Sequence, residues 1–322
     1  MINKTNKILG LKKQYDILKQ GKESLLDMID DIEMIDGVYN SNAIENSTLT
    51  LSDTEKILLD MEVSKAYSLR EVYEAKNLAR VYEYVKDKNK ANGVYLNINK
   101  DIILFIHKML ISGINDEIAG RYRSSLEFVR VGSHIAPAPE HVDRMMYTLM
   151  HDYEINIDKD NGESLDFIKR IARFHLQFET VHPFVDGNGR IGRMLINMQL
   201  AQMGLPHIII RNKEKHLYYK AFKPFRDDGY STKMENIIYL ALSESLYKRI
   251  AYLKGEEIVT LANYHKKILS DNKNKINKNK ISDKKIISLA SLINMARRQT
   301  IASFRVKGVW SVGGTLTIDI PL

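Results

Sequence analysis

His182-Pro183-Phe184-Val185-Asp186-Gly187-Asn188-Gly189-Arg190-Ile191-Gly192-Arg193 is the stretch on which the reading of this 322-residue chain turns. Its parts are those of a polyphosphate site. Gly187 and Gly189 open backbone conformations closed to other residues and let N–H groups approach an anion. They lie where a loop becomes a helix, so unpaired N–H groups and the positive dipole end face the same anion. Arg190 and Arg193 are three apart in the first turn of that helix and share a face, so two guanidinium forks can grip phosphates. Asp186 beside such a nest would be repelled by phosphate unless a cation bridged them, and Mg²⁺ is the usual bridge. His182, at the other end of the loop, is a base of suitable pKa within reach of whatever the phosphates present. Each feature alone is commonplace: a lone His-Pro or Gly-Asn-Gly is a turn, and two arginines three apart are a solvated helix face. Their combination points to phosphate chemistry.

Outward from the loop, helix signals dominate the first 250 residues. Ser52 followed by Glu55 reads as a capping box opening a helix through Ile57, Leu58 and Met61. Leu69, Val72, Tyr73, Leu78 and Val81 keep helical spacing over about 66–86. Lys100–Ile111 is a helix stopped by Gly113, and Pro139 suits the first turn of a helix over His141–Tyr153. Ser164 caps Leu165–Glu179, where Phe167, Ile168, Ile171, Ala172, His175 and Phe178 share a face; His175 and Phe178 read as packing. After the loop, a helix through Met194, Leu195, Met198 and Leu200 ends at Gly204.

One stretch of that body is β-prone. Phe128–Gly132 (FVRVG) precedes the turn Ala136-Pro137-Ala138-Pro139, which suggests a short hairpin lying on a helical domain. After about residue 255 the expectation is a lysine/asparagine linker and a helix near 284–297. Strands follow at Phe304–Trp310 and Thr315–Ile320, with a turn at Gly313-Gly314. The expected organisation is an N-terminal helical region at 1–95, a core at 96–250, a basic linker at 251–283 and a small domain at 284–322.

Composition sets the outer bounds. With 44% hydrophobic and 27% charged residues the chain can bury a real core, which excludes global disorder and collagen-like structure. The absence of cysteine removes disulfides, thiolate metal sites and cysteine nucleophiles together. No run approaches the roughly 20 apolar residues of a membrane helix, and the N-terminus lacks the apolar stretch of a secretory signal. A cytoplasmic location with no membrane partner is the expectation. The net charge of +8 resides in residues 251–322, with 13 Lys+Arg against 5 Asp+Glu, so the rest of the chain is neutral as a block. A basic tail can meet nucleic acid or an acidic protein surface.

The loop resembles the signature of the Fic (filamentation induced by cAMP) family, HxFx(D/E)GNGRxxR, at every specified position. The resemblance extends over roughly residues 30–250, including Gly120-Arg121-Tyr122-Arg123 and the hairpin. It implies an all-α Fic core with a β-hairpin flap, and transfer of AMP from ATP to a Ser, Thr or Tyr hydroxyl of a target protein. By the same resemblance His182 takes the proton from the hydroxyl that attacks the α-phosphate, and Asp186 holds Mg²⁺. Backbone N–H groups of Gly187, Asn188 and Gly189 form the anion hole. Arg190 and Arg193 hold the β- and γ-phosphates, and Ile191 and Gly192 complete the ATP-binding run. Val129, Arg130, Val131 and Gly132 fall at the flap, beside ATP, where a target segment docks by strand addition. Tyr218 and Tyr219 correspond to a tyrosine pair near adenine. Arg226 stands where several relatives have an asparagine.

Upstream, Ser41-Asn42-Ala43-Ile44-Glu45-Asn46 matches the family's inhibitory pattern, (S/T)xxxE(G/N). Ser41 and Glu45 lie one helical turn apart on one face, which by itself is unremarkable. The resemblance implies that Glu45 pairs with Arg193, with Ser41 and Asn46 as the rest of the inhibitory motif, so that ATP binds unproductively. The tail, with Arg297-Arg298-Gln299-Thr300 and a strand pair bearing Arg305 and Lys307, resembles a small α+β winged-helix domain. Such modules place basic residues on phosphates, whereas Trp310 reads as packing. The leading expectation is a self-inhibited adenylyltransferase. The alternatives are a DNA-binding regulator, a protein-recognition tail, transfer of UMP, phosphate or phosphocholine, or removal of AMP. A homodimer is left open.

Overall fold

The computed structural model describes residues 4–63, 66–91, 95–132, 134–159, 166–276, 287–314 and 316. The chain divides into two compact units, one of residues 30–239 and one of residues 1–29 with 240–322. Helices come first: α1 (Lys4–Leu18), α2 (Glu23–Ile44), α3 (Leu51–Leu59), α4 (Leu69–Ala91) and α5 (Lys100–Ile111). A two-stranded hairpin, β1 (Arg130–Val131) and β2 (His134–Ile135), interrupts them before α6 (Pro139–Lys159), α7 (Asp166–Val181) and α8 (Asn188–Gln202). Three further helices follow: α9 (Lys215–Tyr219), α10 (Phe222–Asp228) and α11 (Thr232–Leu253). The chain closes with β3 (Ile258–Thr260), α12 (Leu261–Ile276), α13 (Leu289–Arg297), β4 (Phe304–Val306) and β5 (Val309–Gly313). No helix among the described residues is long and apolar enough to cross a membrane.

In the unit of residues 30–239, apolar residues one turn apart converge on α8. Leu78 and Val81 of α4, Ile103, Ile106 and Leu110 of α5, and Val142 and Met146 of α6 are buried with Phe174 and Phe178 of α7. Against them pack Ile191, Met194, Leu195 and Met198 of α8. Even the polar residues Asn188, Arg190, Arg193, Asn197 and Gln199 of α8 are buried, so their hydrogen-bonding groups require internal partners. Asn197 shows how this is met: its amide donates to the Ile208 carbonyl at 3.1 Å and its Oδ1 accepts from the Ile208 N–H at 2.8 Å.

The C-terminal half of α2 is fastened beside this core. Asp36 pairs with Arg211 at 2.5 Å, Asn40 Oδ1 accepts from the Asn212 N–H at 3.0 Å, and His207 sits between Asp30 and Glu33 at 3.6 and 3.2 Å. The helix stops because Asn46 takes a left-handed φ of 71°. Its N–H donates to the Ala43 carbonyl and the Ser47 N–H to the Asn42 carbonyl, each at 3.1 Å, the paired bonds of a Schellman cap. Glycine and asparagine tolerate that conformation, which gives the final position of the (S/T)xxxE(G/N) pattern a structural cause.

Several local expectations need correction. The capping box of α3 is Thr50 with Asp53, not Ser52 with Glu55, because the Thr50 side chain accepts from the Asp53 N–H at 3.1 Å and the Asp53 carboxylate accepts from the Thr50 N–H at 3.3 Å. The hairpin turns at Gly132, with Arg130 opposite Ile135, and Ala136–Pro139 follows its second strand. Residues 258–276, expected within a linker, form β3 and α12. Phe304–Trp310 is two strands, since Lys307 and Gly308 both have positive φ, 44° and 77°, and make a two-residue turn between β4 and β5. Ser164 and the strand expected over Thr315–Ile320 lie outside the described residues apart from Leu316.

The remaining unit carries a three-stranded antiparallel sheet in the order β3-β5-β4, with α12 packed on it and α13 on α12. Leu261, Tyr264, Leu292, Ala296, Ile301 and Val312 form its core. Arg305, expected at the surface on a phosphate, is buried instead. Its guanidinium pairs with Glu244 at 2.7 Å and lies 4.5 Å over the Trp310 ring. Charge pairing in the interior outweighs solvation here, and Trp310 packs as the sequence suggested. Because Phe178 joins α7 to the α8 core with no exposed surface, Phe178→Ala is expected to destabilise the protein by about 3–5 kcal/mol, read by urea unfolding.

Candidate active site

The loop between α7 and α8 is built by three locks. His182 follows the last residue of α7 with φ of 49°, while its N–H still donates to the Phe178 carbonyl at 2.9 Å. Arg123 then gathers the turn. Its Nε donates to the His182 carbonyl at 2.8 Å and its Nη2 to the Val181 and Pro137 carbonyls at 3.2 and 2.5 Å. One buried guanidinium thus ties the start of the loop to the segment leaving the hairpin. Asn188 closes the other side, accepting from the Phe184 N–H at 2.9 Å and donating to the Phe184 carbonyl at 2.8 Å.

The third lock is His107 on α5. Its ring stacks on Phe184 at 3.7 Å between centroids, nearly parallel. Nδ1 accepts from the Gly120 N–H at 3.0 Å, so the neutral ring carries its proton on Nε2, which donates to the Asp186 carbonyl at 3.0 Å. Burial pushes His107 down to about 4, so this tautomer persists at neutral pH. Gly187, the N-cap of α8, has φ of 85°, and the chain enters the helix with its N–H groups pointing out of the mouth.

Charged residues crowd that mouth. Arg190 reaches Asp186 at 3.0 Å and Glu74 at 3.2 Å; Arg70 reaches Glu74 at 3.0 Å and also contacts Asp186. Burial works against the Asp186 charge, yet Arg190, Arg70 and the Gly187 N–H hold its carboxyl below the usual range. A divalent cation fits here. Mg²⁺ is commonly held by one carboxylate together with substrate phosphates, and the Arg70 side chain on Asp186 is 57% exposed.

Arg193 lies deeper and is bound to α2. Its Nε donates to Ser41 Oγ at 2.9 Å, and its Nη2 to the Ser41 carbonyl and to Glu45 Oε1, each at 2.8 Å. The Glu45 carboxylate rests on Gly189, where an added Cβ would stand 2.1 Å from Oε1. An acidic side chain from α2 therefore sits over the first turn of α8, the place where an anion would bind.

The catalytic candidate is largely buried. The His182 side chain is 13% exposed, with Nδ1 at 3.7 Å from Glu179 Oε2. Burial pushes His182 down to about 4, against the pull of the Glu179 backbone carbonyl and the Glu45 carboxylate. Burial and then Glu45 push Glu179 up to about 8.

The structure thus brings His182, Asp186 and Gly187–Arg193 together with Ser41 and Glu45, while Asn46 caps α2 and meets Lys215 at 3.2 Å. Ile191 faces the core, and Gly192 lets α8 approach Glu179 and His175, to which a Cβ would come within 2.7 and 2.9 Å. Tyr218 is buried, its hydroxyl 2.9 Å from His175 Nε2 and its ring 5.7 Å from the Arg193 guanidinium. Half-exposed Tyr219 donates instead to the Ile44 carbonyl at 3.1 Å, next to Glu45. Arg130 and Val131 are exposed on the hairpin, where Arg130 Nε donates to the Gly132 carbonyl at 2.7 Å and the Ala136 N–H to the Val129 carbonyl at 3.0 Å. His107, Arg70, Glu74 and Glu179 escaped sequence reasoning. His107 and Glu179 look like stray polar residues on apolar helices, and only their partners reveal them.

Residues 97–200 match the profile of the Fic/DOC family. That segment is similar to Fic domains. The chain is 34% identical over 183 residues to a protein adenylyltransferase Fic of Nematostella vectensis, covering 57% of this chain and 41% of that protein. It spans about two fifths of the length of such curated relatives, the protein of the same name from Aedes aegypti being covered to 42%. Among solved structures, a Fic domain containing signaling protein from Bacteroides thetaiotaomicron superposes with a TM-score of 0.69 at 25% identity, over 78% of this chain and 98% of that one. A Fic family protein from Desulfovibrio desulfuricans shares the fold across 97% of both chains, with a TM-score of 0.60 at 21% identity.

Within the matched segment, His175 is fully buried and burial pushes it down from an ordinary 6.5 to about 3. The unfolded ring takes up a proton below about pH 6.5 and the folded ring does not, so its contribution to stability is complete above that pH and is lost as pH falls toward 3. Between pH 7 and pH 5 the loss from this group is about 2 kcal/mol. In urea unfolding, His175→Gln is expected to show a correspondingly smaller acid-side decline than wild type.

Proposed function

We propose that this protein is a self-inhibited protein adenylyltransferase that transfers AMP from ATP to a Ser, Thr or Tyr hydroxyl, on a target protein or on itself. Residues 96–250 form the catalytic core, and 1–95 carry the brake. The observation that carries the reading is Glu45 lying on Gly189 and paired with Arg193, a carboxylate parked at a phosphate-binding helix mouth.

The N–H groups of Gly187, Asn188 and Gly189 and the side chains of Arg190 and Arg193 would receive the triphosphate, with Asp186 as the protein ligand of Mg²⁺. The ion, when bound, supplies neutralising charge to the phosphates. His182 is neutral at cellular pH because its pKa lies near 4, so it is free to accept a proton. It takes one from the incoming hydroxyl, whose oxygen bonds to the α-phosphorus as pyrophosphate leaves. Fixed donors aimed at the transferring charge supply the larger part of the stabilisation. The target segment lies along the exposed hairpin by strand addition, and Tyr218 and Tyr219 border the adenine side.

Glu45 withdraws Arg193 from the γ-phosphate and occupies the space over Gly189, so ATP is denied its productive pose. Glu45→Gly is therefore expected to raise AMP transfer well above wild type. The measurement is mass spectrometry of the variant incubated with Mg²⁺-ATP and, in parallel, with other nucleotides. A gain of one adenylate on a hydroxyl side chain supports the reading; an unmodified, folded variant, or a different transferred group, overturns it. In that background His182→Ala should cost about 10²–10⁴-fold in transfer while ATP binding persists, as calorimetry would show.

A further inference from the structure

Glu179 lies three residues before His182 on α7, and its carboxyl points into the protein. The side chain is 9% exposed, and Oε2 stands 3.7 Å from His182 Nδ1. Gly192 on α8 makes the room, since a Cβ there would come within 2.7 Å of Glu179 Oε1. That oxygen is buried with no hydrogen-bond partner among the described residues. Burying a carboxyl this way is costly. None of the phosphate-binding contacts described above uses it.

The requirement it meets is set by imidazole chemistry. For His182 to accept a proton at Nε2, the neutral ring must carry its own proton on Nδ1, and that proton needs an acceptor. We propose that Glu179 is the positioning residue of His182: its carboxyl accepts from Nδ1–H and so presents Nε2 to the incoming hydroxyl. This inference rests on the adenylyl-transfer reading of the site. The present 3.7 Å is longer than a hydrogen bond, and side-chain contacts of this kind tighten when substrate arrives.

Two further observations shape the test. Glu179 is pushed up to about 8 by burial and by Glu45, over the opposing pull of Arg193, so at neutral pH it is a neutral acid accepting through its carbonyl oxygen. Glutamine reproduces that neutral acceptor, whereas leucine fills similar space without one. The Glu179 backbone carbonyl also faces the His182 ring, and both substitutions leave it in place.

In the Glu45→Gly background, Glu179→Leu is expected to lower kcat about 10²-fold with the KM for ATP unchanged, and Glu179→Gln to restore most of the loss. Nitrogen NMR of the His182 ring, in the otherwise wild-type chain, should show the Nδ1–H tautomer in wild type and Glu179→Gln, and its loss in Glu179→Leu. A thermal melt confirms that the leucine variant folds. The inference is overturned if the leucine variant keeps both kcat and tautomer, since the backbone carbonyl then suffices. Equal losses in both variants overturn it too. Should the Glu45→Gly parent transfer no nucleotide, the adenylyl-transfer reading fails by itself, and the tautomer measurement alone decides the role of Glu179.

Discussion

A helix that begins inside a protein presents unpaired N–H groups and a positive dipole end to whatever lies opposite, and that charge must be answered. In this chain α8 is buried along most of its length and adds two buried arginines to the same end. The surrounding architecture supplies the reply. Asp186 and Glu74 balance Arg190, while Ser41 and Glu45 balance Arg193. The helix mouth is thereby a place that attracts anions strongly and, in this state, already holds one from the same polypeptide.

The supports of the loop are made of neutral hydrogen bonds and one well-placed cation. Asn188 spends its side chain on Phe184, His107 spends its proton on the Asp186 carbonyl, and Arg123 gathers the carbonyls at the loop entrance. Holding the backbone through these side chains leaves the N–H groups of Asn188 and Gly189 unspent by them, while that of Gly187 donates to the Asp186 carboxylate. It also keeps the His182 imidazole buried, which holds it neutral. Rigid positioning and preserved basicity come from the same packing.

What could be read from the chain alone follows from where each partner lies. The loop from His182 to Arg193 was legible because its glycines, arginines, aspartate and histidine are contiguous, and their chemistry converges without knowledge of the fold. The hold of Glu45 on Arg193 spans 148 residues, so only the family resemblance suggested it. Arg70 meets Asp186 across 116 residues and Arg123 meets His182 across 59; no local pattern announces such pairs. The cap of α3 was misplaced because Thr50 and Ser52 are both suitable hydroxyls and only backbone geometry selects one. The last hairpin was missed because lysine rarely takes the left-handed conformation that Lys307 adopts. Arg305 illustrates the opposite error, an arginine read as a surface contact whose buried carboxylate partner lies 61 residues away.

The Schellman cap at Asn46 has a mechanical meaning. Glu45 sits at the carboxyl end of α2, where its own helix repels a negative charge, and it is held by neighbours on another helix. Because the chain leaves the helix at Asn46 with a left-handed φ, the Glu45 carboxylate hangs from the last turn of α2, while the ion pair at Asp36 and the hydrogen bonds at Asn40 fix the turns before it.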